Sequence, residues 1–551
     1  MRLPTVRLAL CGLVGVPLLA VAVRAEDSTP PPVEQTAAAA ATPVAVPLAP
    51  EVKGGRPRLN PTLVAPAATD LAPGVGDLQA PASLALPTKP EQVRIQELRP
   101  ISLVEAENLA EVNNPELKAV ASQVDQAQSD LRAQIALWYP TLQLQAGQVP
   151  AFTTGQIKQG SRTSLIDRWD FAASLNAQWA LINPQRVPTV AAARDRFESA
   201  RFQYVIALRD LRLQVAQAYF RLQQADDGVR IGQESVRASL VSLRDARARF
   251  QAGVATKLEV LEAETQLARD QQLLAEFLAA QSVARRTLAA LLDLPQTVTP
   301  NAKDPSRVLG VWQPSLPQSI VAAYTFREEL DQSLLAISIA NSDANSALAN
   351  VQPFLNVFTA FGYTNYSGAE QGFTALGSDS GSGYDTSLGL NFSWNLFDGG
   401  RSRAQYRQQK QAAQEGTYRF AQRRDDIRRQ VEESFYELEK NNRNIITTSR
   451  EVISARESLR LARLRFQAGV TTQREVVDNQ RDLTQAEVRY SNAITDYNIR
   501  LAELRRRTGL DQVVACSPQS LPAVKPTDSA AIPVEPTPLV PACQAAMPGA
   551  V

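Results

Sequence analysis

Histidine is absent from this 551-residue sequence. That removes the commonest general base and the commonest neutral metal ligand. Cysteine is scarce: Cys11, Cys516 and Cys543 stand apart, without the paired spacing of a zinc site. Neither charge sign dominates, with 57 Lys and Arg against 56 Asp and Glu, so the bulk charge gives no pointer to nucleic acid. No window of about 20 apolar residues follows the first 25 positions, which argues against a transmembrane helix. No glycine-rich phosphate loop is present, so any energy must come from elsewhere. The sequence therefore suggests no cofactor and no metal. Acid pairs such as Glu259 and Glu262 could be read as a catalytic acid and base. Acids in a first helical turn ordinarily complement the helix dipole instead, which argues against an enzyme.

What is there begins with a leader. Arg2 and Arg7 precede an apolar run from Leu8 to Val23, and Val23-Arg24-Ala25 suits cleavage before Glu26. This predicts a secretory signal peptide over 1–25 and export of the rest. A lipidated Cys11 fits less well, because Leu10 is large for the preceding position and little apolar sequence comes before it. Residues 26–100 hold 14 prolines, and their composition predicts a disordered arm. Residues 511–551 read as a similar tail. Cys516 and Cys543 lie in that tail, paired in an oxidising compartment or left as two free thiols.

Between the arms, RFQAGV occurs twice, at Arg249–Val254 and at Arg465–Val470, 216 residues later. The same offset relates Leu243 to Leu459, Ala246 to Ala462, Leu267 to Leu483 and Leu294 to Leu510. That period is too long for a solenoid and implies two copies of one large unit, 101–300 and 316–510, with a linker at 301–315. In each copy a long helical pattern enters the glycine and another leaves it. Ala252-Gly253-Val254 and Ala468-Gly469-Val470 thus read as turns between antiparallel helices, with φ above zero at each glycine. Each unit opens with two shorter helices. In the first, Ser102 and Glu105 form a capping box, and Asn113-Asn114-Pro115 marks a break.

Strands come next, in hairpins over 140–182 and 353–397. Phe171, Ala173, Leu175, Ala177, Trp179 and Leu181 alternate with mainly polar residues. So do Tyr384, Thr386, Leu388, Leu390, Phe392, Trp394 and Leu396. Such runs exceed an ordinary strand of about 5–6 residues and suffice to cross a bilayer. Trp138, Tyr139, Trp179, Trp394 and Phe397 gather at strand ends like an interfacial girdle. The connections near 153–167 and 367–383 read as polar loops. Four membrane strands cannot close a barrel alone, so the chain must assemble into a ring. Each hairpin then leads into a helix with heptad spacing, seen in Leu208, Leu211, Val215, Ala218 and Leu222. About 65 residues of helix span about 100 Å.

This duplicated order of helices, strands, long helix, glycine turn and return helix resembles the TolC-like outer membrane efflux protein family over residues 101–510. The resemblance implies a mainly α fold with transmembrane β: a homotrimer with a 12-stranded barrel in the outer membrane lipid and a coiled-coil tunnel in the periplasm. It implies a passive exit duct for efflux or type I secretion, served by a periplasmic adaptor and an inner-membrane transporter. Adaptor docking maps to Ala252, Gly253, Val254, Ala468, Gly469 and Val470. An acidic entrance ring maps to Glu475 and Asp478, although both could simply be dipole partners. An inter-helix contact at the tip maps to Glu259, Phe466 and Thr471. Phe466 and Thr471 replace the family's Tyr and Arg there, so other contacts must hold a closed state. Two rival readings are a periplasmic adaptor and a trimeric adhesin. The first would show one helical hairpin flanked by small β domains, and the second would end in its barrel strands.

Overall fold

Pleated alternation and heptad spacing dictate two kinds of element, and both appear in the computed structural model, which describes residues 67–159, 162–371 and 378–512. The leader, the arm as far as residue 66, and the tail from 513 with Cys516 and Cys543 lie outside the described residues. The elements run β1 (Glu97–Ile101), α1 (Leu103–Asn113), α2 (Pro115–Ile135), β2 (Thr141–Gln159), β3 (Arg162–Ile182), α3 (Arg186–Gln251) and α4 (Lys257–Leu291). They continue as β4 (Val298–Ala302), α5 (Leu316–Phe326), α6 (Glu328–Ala349), β5 (Phe354–Gln371), β6 (Ser378–Ser393), α7 (Arg401–Gln467) and α8 (Gln473–Thr508). Local chemistry sets the boundaries. Ser102 and Glu105 make their capping box, and Asn114 caps α2 ahead of Pro115.

One antiparallel sheet holds the four long strands in the order β2-β3-β5-β6. Its register places Leu144 beside Leu175, Leu175 beside Phe361, and Thr359 beside Leu388. Most apolar positions of the four strands therefore share one face, where Leu142, Leu144, Leu388 and Leu390 are exposed, with Phe354 and Phe358 of β5 the exceptions. The opposite face carries Gln143, Asn176, Ser387 and Asn391. The strands are longer than the alternation suggests. They continue into the stretches expected as polar loops, because ladder hydrogen bonds persist where side-chain patterning fades. At the other end β6 stops at Ser393, so Trp394 and Phe397 follow the strand.

The 66 residues of α3 and 67 of α7 reach about 100 Å each. Two apolar cores lie along them. One joins α1, α3, α4 and β4, and the other joins α5, α7 and α8. Packing of α3 on α4 is close enough that a Cβ at Gly228 would meet the Phe277 ring at 2.9 Å. Charged groups knit the two halves. Arg209, buried in α3, pairs with Glu328 and, at 2.7 Å, with Asp511, and donates to the Arg506 carbonyl at 2.8 Å. Arg506 reaches Asp210 at 2.7 Å and Glu329 at 3.1 Å. Burial raises the Glu329 carboxyl, but the Arg327 hydrogen bond and the charges of Arg506, Arg327 and Arg209 outweigh it and hold the group well below the usual range.

Residues 67–80, within the segment expected as a disordered arm, lie along α1 as a strap whose Val75 and Leu78 are only 1% and 2% exposed. Side chains of α1 satisfy the strap's backbone: Ala68 N–H donates to Glu111, Ala72 N–H to Asn108, and Asn113 donates to the Leu78 carbonyl. Proline-rich composition counts against self-made structure, but it does not prevent docking on a helix that supplies the partners. Leu78→Ala should therefore destabilise the purified protein by about 2–5 kcal/mol, read as a lower melting temperature. An unchanged melt would return the strap to a loose arm.

Strap, α1, α3 and α8 border an open pocket of about 580 Å³ lined by Glu107, Glu111, Arg212, Arg505 and Asp511. Burial pushes the Glu107 carboxyl from its ordinary 4.5 up to about 7, against the pull of Arg505 and Arg212. The folded state then binds more protons than the unfolded chain between those values, so stability falls as pH rises from 4.5 to 7. Glu107→Gln should remove that loss, raising stability at pH 8 by up to about 3 kcal/mol while leaving pH 4 nearly unchanged. Melting at the two pH values checks it.

Candidate functional site

Two regions concentrate exposed chemistry: the ends of the sheet and the glycine turns. At the helix-side end of the sheet, Trp138, Tyr139, Trp179, Trp394 and Phe397 are all exposed. The two halves anchor their tryptophans alike. Trp179 Nε1 donates to the Trp138 carbonyl at 3.0 Å, and Trp394 Nε1 donates to the Val351 carbonyl at 3.1 Å. Each indole thereby satisfies its one polar atom and leaves its rings outward. The Arg186 guanidinium lies 5.0 Å over the Trp138 ring.

A second aromatic group, missed in the sequence, lies farther along the same face. Phe152 and Trp169 are register partners with ring centroids 5.0 Å apart, and both are exposed. The signal was diluted because Phe152 and Trp169 sit in or beside stretches that read as polar loop. Trp169 and Trp179 are ten residues apart on β3, about 34 Å along the strand. At the usual tilt of membrane strands that is about 25 Å of depth, the height of an outer-membrane barrel's apolar band.

At the far ends of the long helices, Gly253 and Gly469 both have φ of 74°. Gly253 N–H donates to the Phe250 carbonyl and Val254 N–H to the Arg249 carbonyl, each at 3.0 Å. Gly469 and Val470 repeat this on Phe466 and Arg465 at 3.0 and 2.9 Å. These are Schellman ends, which a residue with Cβ would strain. Val254 and Val470 project, exposed, from the two turns.

The acids expected at an entrance carry counterions within the chain. Glu475 pairs with Arg465 at 2.8 Å and accepts from the Thr471 hydroxyl. Asp478 lies 3.4 Å from Arg481 and 3.9 Å from Arg474. Glu259, Phe466 and Thr471 each turn to a different partner. Glu259 closes a capping box with Thr256, Thr471 bonds Glu475, and the Phe466 ring lies 4.2 Å beneath the Arg249 guanidinium. Arg249 on Phe466 bridges α3 to α7, and Gln473 donating to Ser242 bridges α8 to α3. Sequence reading found neither bridge, since both depend on how the hairpins lie side by side.

Among the described residues no helix is long and apolar enough to cross a membrane. Comparison with known proteins agrees with this geometry. The family described as outer membrane efflux protein matches residues 107–293 and 321–510. Outer membrane protein TolC of Vibrio cholerae is 24% identical over 429 residues, 74% of this chain and 92% of that protein. Protein CyaE of Bordetella pertussis is 23% identical over 324 residues, 58% of this chain and 65% of that one. In fold, a membrane protein from Pseudomonas aeruginosa superposes with a TM-score of 0.62 at 20% identity, covering 78% of this chain and all of that one. Both halves of the chain fall within the family's match, and the chain belongs to the outer membrane efflux protein family.

Proposed function

We propose that this chain is an outer-membrane exit duct for efflux or type I secretion, working as a homotrimer. One observation carries the reading: four register-matched strands present a single apolar face bounded by two aromatic belts about 25 Å apart in depth. Such a face suits lipid. The backbone at the edges β2 and β6 would then lack partners in hydrocarbon, so the sheet must close. Three copies give 12 strands, within the range of outer-membrane barrels. The polar face lines a water-filled lumen, and the long helices continue it as a periplasmic tunnel. Its tips dock a periplasmic adaptor that couples it to an inner-membrane transporter, the source of energy. Two helical hairpins and a four-stranded sheet count against an adaptor in its own right.

Mass measurement of the detergent-solubilised mature protein should give three chains. A stable soluble monomer would sink the channel reading.

Docking at the tip rests on the projecting Schellman turns. Gly469→Val should impair export while leaving the protein inserted in the outer membrane. Normal export from a well-expressed variant would mean the motif is an ordinary coil turn.

At the entrance, Glu475 and Asp478 supply six carboxylates around the three-fold axis, partly offset by Arg465, Arg474 and Arg481. Glu475→Gln with Asp478→Asn should abolish cation preference and block by multivalent cations in a reconstituted bilayer. If the pair of changes lowers only thermal stability, the acids serve the helix dipole.

A further inference from the structure

The polar face of the sheet also carries aromatics. On β5 they include Phe358 and, eight residues on, Tyr366, register partners of Gly389 and Gly381 on β6. Glycine lets each ring lie along the sheet: a Cβ at Gly389 would meet the Phe358 ring at 2.7 Å, and one at Gly381 would meet Tyr366 at 2.6 Å. The Tyr366 ring is capped, with the Arg168 guanidinium 5.4 Å from its centroid. Phe358 has no such cap among the described residues. Between the two rings, Asp385 lays its carboxylate over Gly362. Asp385 is exposed, and no cation pairs with it among the described residues. The chain supplies none nearby: β2 holds no charged residue from Thr141 to Ile157, and Arg168 of β3 is held by Asp170 at 2.9 Å.

Register puts Asp385 on one rung with Gly362 and Ser174, halfway along β3 between Trp169 and Trp179. That rung is four residues, about 13 Å, from the rung of Phe358 and Gly389. Ala360 and Ser387 form a rung between them, and both are small. The result is a shallow trough with an open ring at one end and an uncompensated carboxylate at the other. An aromatic face and a carboxylate both attract positive charge, and the ring also offers apolar area. We propose that this trough is a transit site for organic cations with a flat apolar body, the body on Phe358 and the charge at Asp385. The inference rests on the duct reading, because only closure of the sheet makes this face a lumen and repeats the trough in every copy. Inorganic cations stay hydrated and are screened over about 10 Å at 0.1 M salt, so small-ion preference remains with the acids of the tip.

The test uses the whole mature chain in a planar bilayer, with Glu475→Gln and Asp478→Asn as the background so that the tip acids do not contribute. N-methylacridinium, a flat aromatic cation added to the outer side, should interrupt the current transiently. Asp385→Asn and Phe358→Leu should each weaken that effect about fivefold, and Asp385→Glu should retain it. Ala360→Val, which fills the floor with a side chain suited to a strand, should weaken it as well. Tetramethylammonium, a cation without a ring, and 9-anthracenecarboxylate, a ring with the opposite charge, should have little effect. Equal action by either of these overturns the inference, and so does a conducting channel that N-methylacridinium leaves undisturbed. A loss in Asp385→Asn alone, with Phe358→Leu and Ala360→Val both neutral, would reduce the trough to a bare charge and overturn it too. If the unaltered protein forms no conducting channel, the duct reading itself fails and takes this inference with it.

Discussion

Backbone amides and carbonyls need partners wherever water is excluded, and a four-stranded sheet with an apolar face leaves two edges without them. Much of the rest of the chain follows from that constraint. The register aligns apolar positions across all four strands, so exposure is concentrated on one face rather than scattered. Tryptophans at the strand ends tie their indole nitrogens to nearby carbonyls, fixing where the apolar band stops. Under the proposed function, copies of the same chain would close the sheet, since each brings the same pair of edges.

The helices carry a different burden. Helices of about 100 Å cannot be held by one compact core, and the apolar clusters along them are correspondingly several. The buried ionic groups around Arg209 and Arg506 join what the two cores leave separate: α3, α6, and the residues just past α8. Buried charges are expensive unless paired, so this junction favours one relative arrangement of the halves over others. The strap over α1 adds to the same region from outside. Toward the tips, the cores thin to Leu243, Ala246 and Ala263 on one hairpin and Leu459, Ala462 and Val476 on the other. The side-by-side contacts described there are the stacking of Arg249 on Phe466 and the hydrogen bond of Gln473 to Ser242.

Local periodicity was enough to determine much of this in advance. Alternation over two residues located the strands, heptads located the long helices, and RFQAGV located two Schellman ends whose glycines take positive φ. Each of those patterns depends on neighbours within about seven residues, so each is written in the sequence directly. Strand length was misjudged because backbone pairing outlasts the apolar pattern. The strap was missed because proline-rich composition reports what a segment cannot do alone, and Val75 and Leu78 are buried only by α1 and its surroundings.

The site shows the same division. The sequence marked the turn residues and the acids Glu475 and Asp478. It could not decide that Arg465 reaches back across the turn to Glu475, or that Arg249 stacks on a phenylalanine 217 residues away in its counterpart motif. Phe152 and Trp169 became a second belt only once β2 and β3 were paired. Local elements follow from sequence because their energetics are summed over adjacent residues. Bridges between hairpins such as Gln473 on Ser242 follow from the juxtaposition of distant segments, which tertiary packing alone decides.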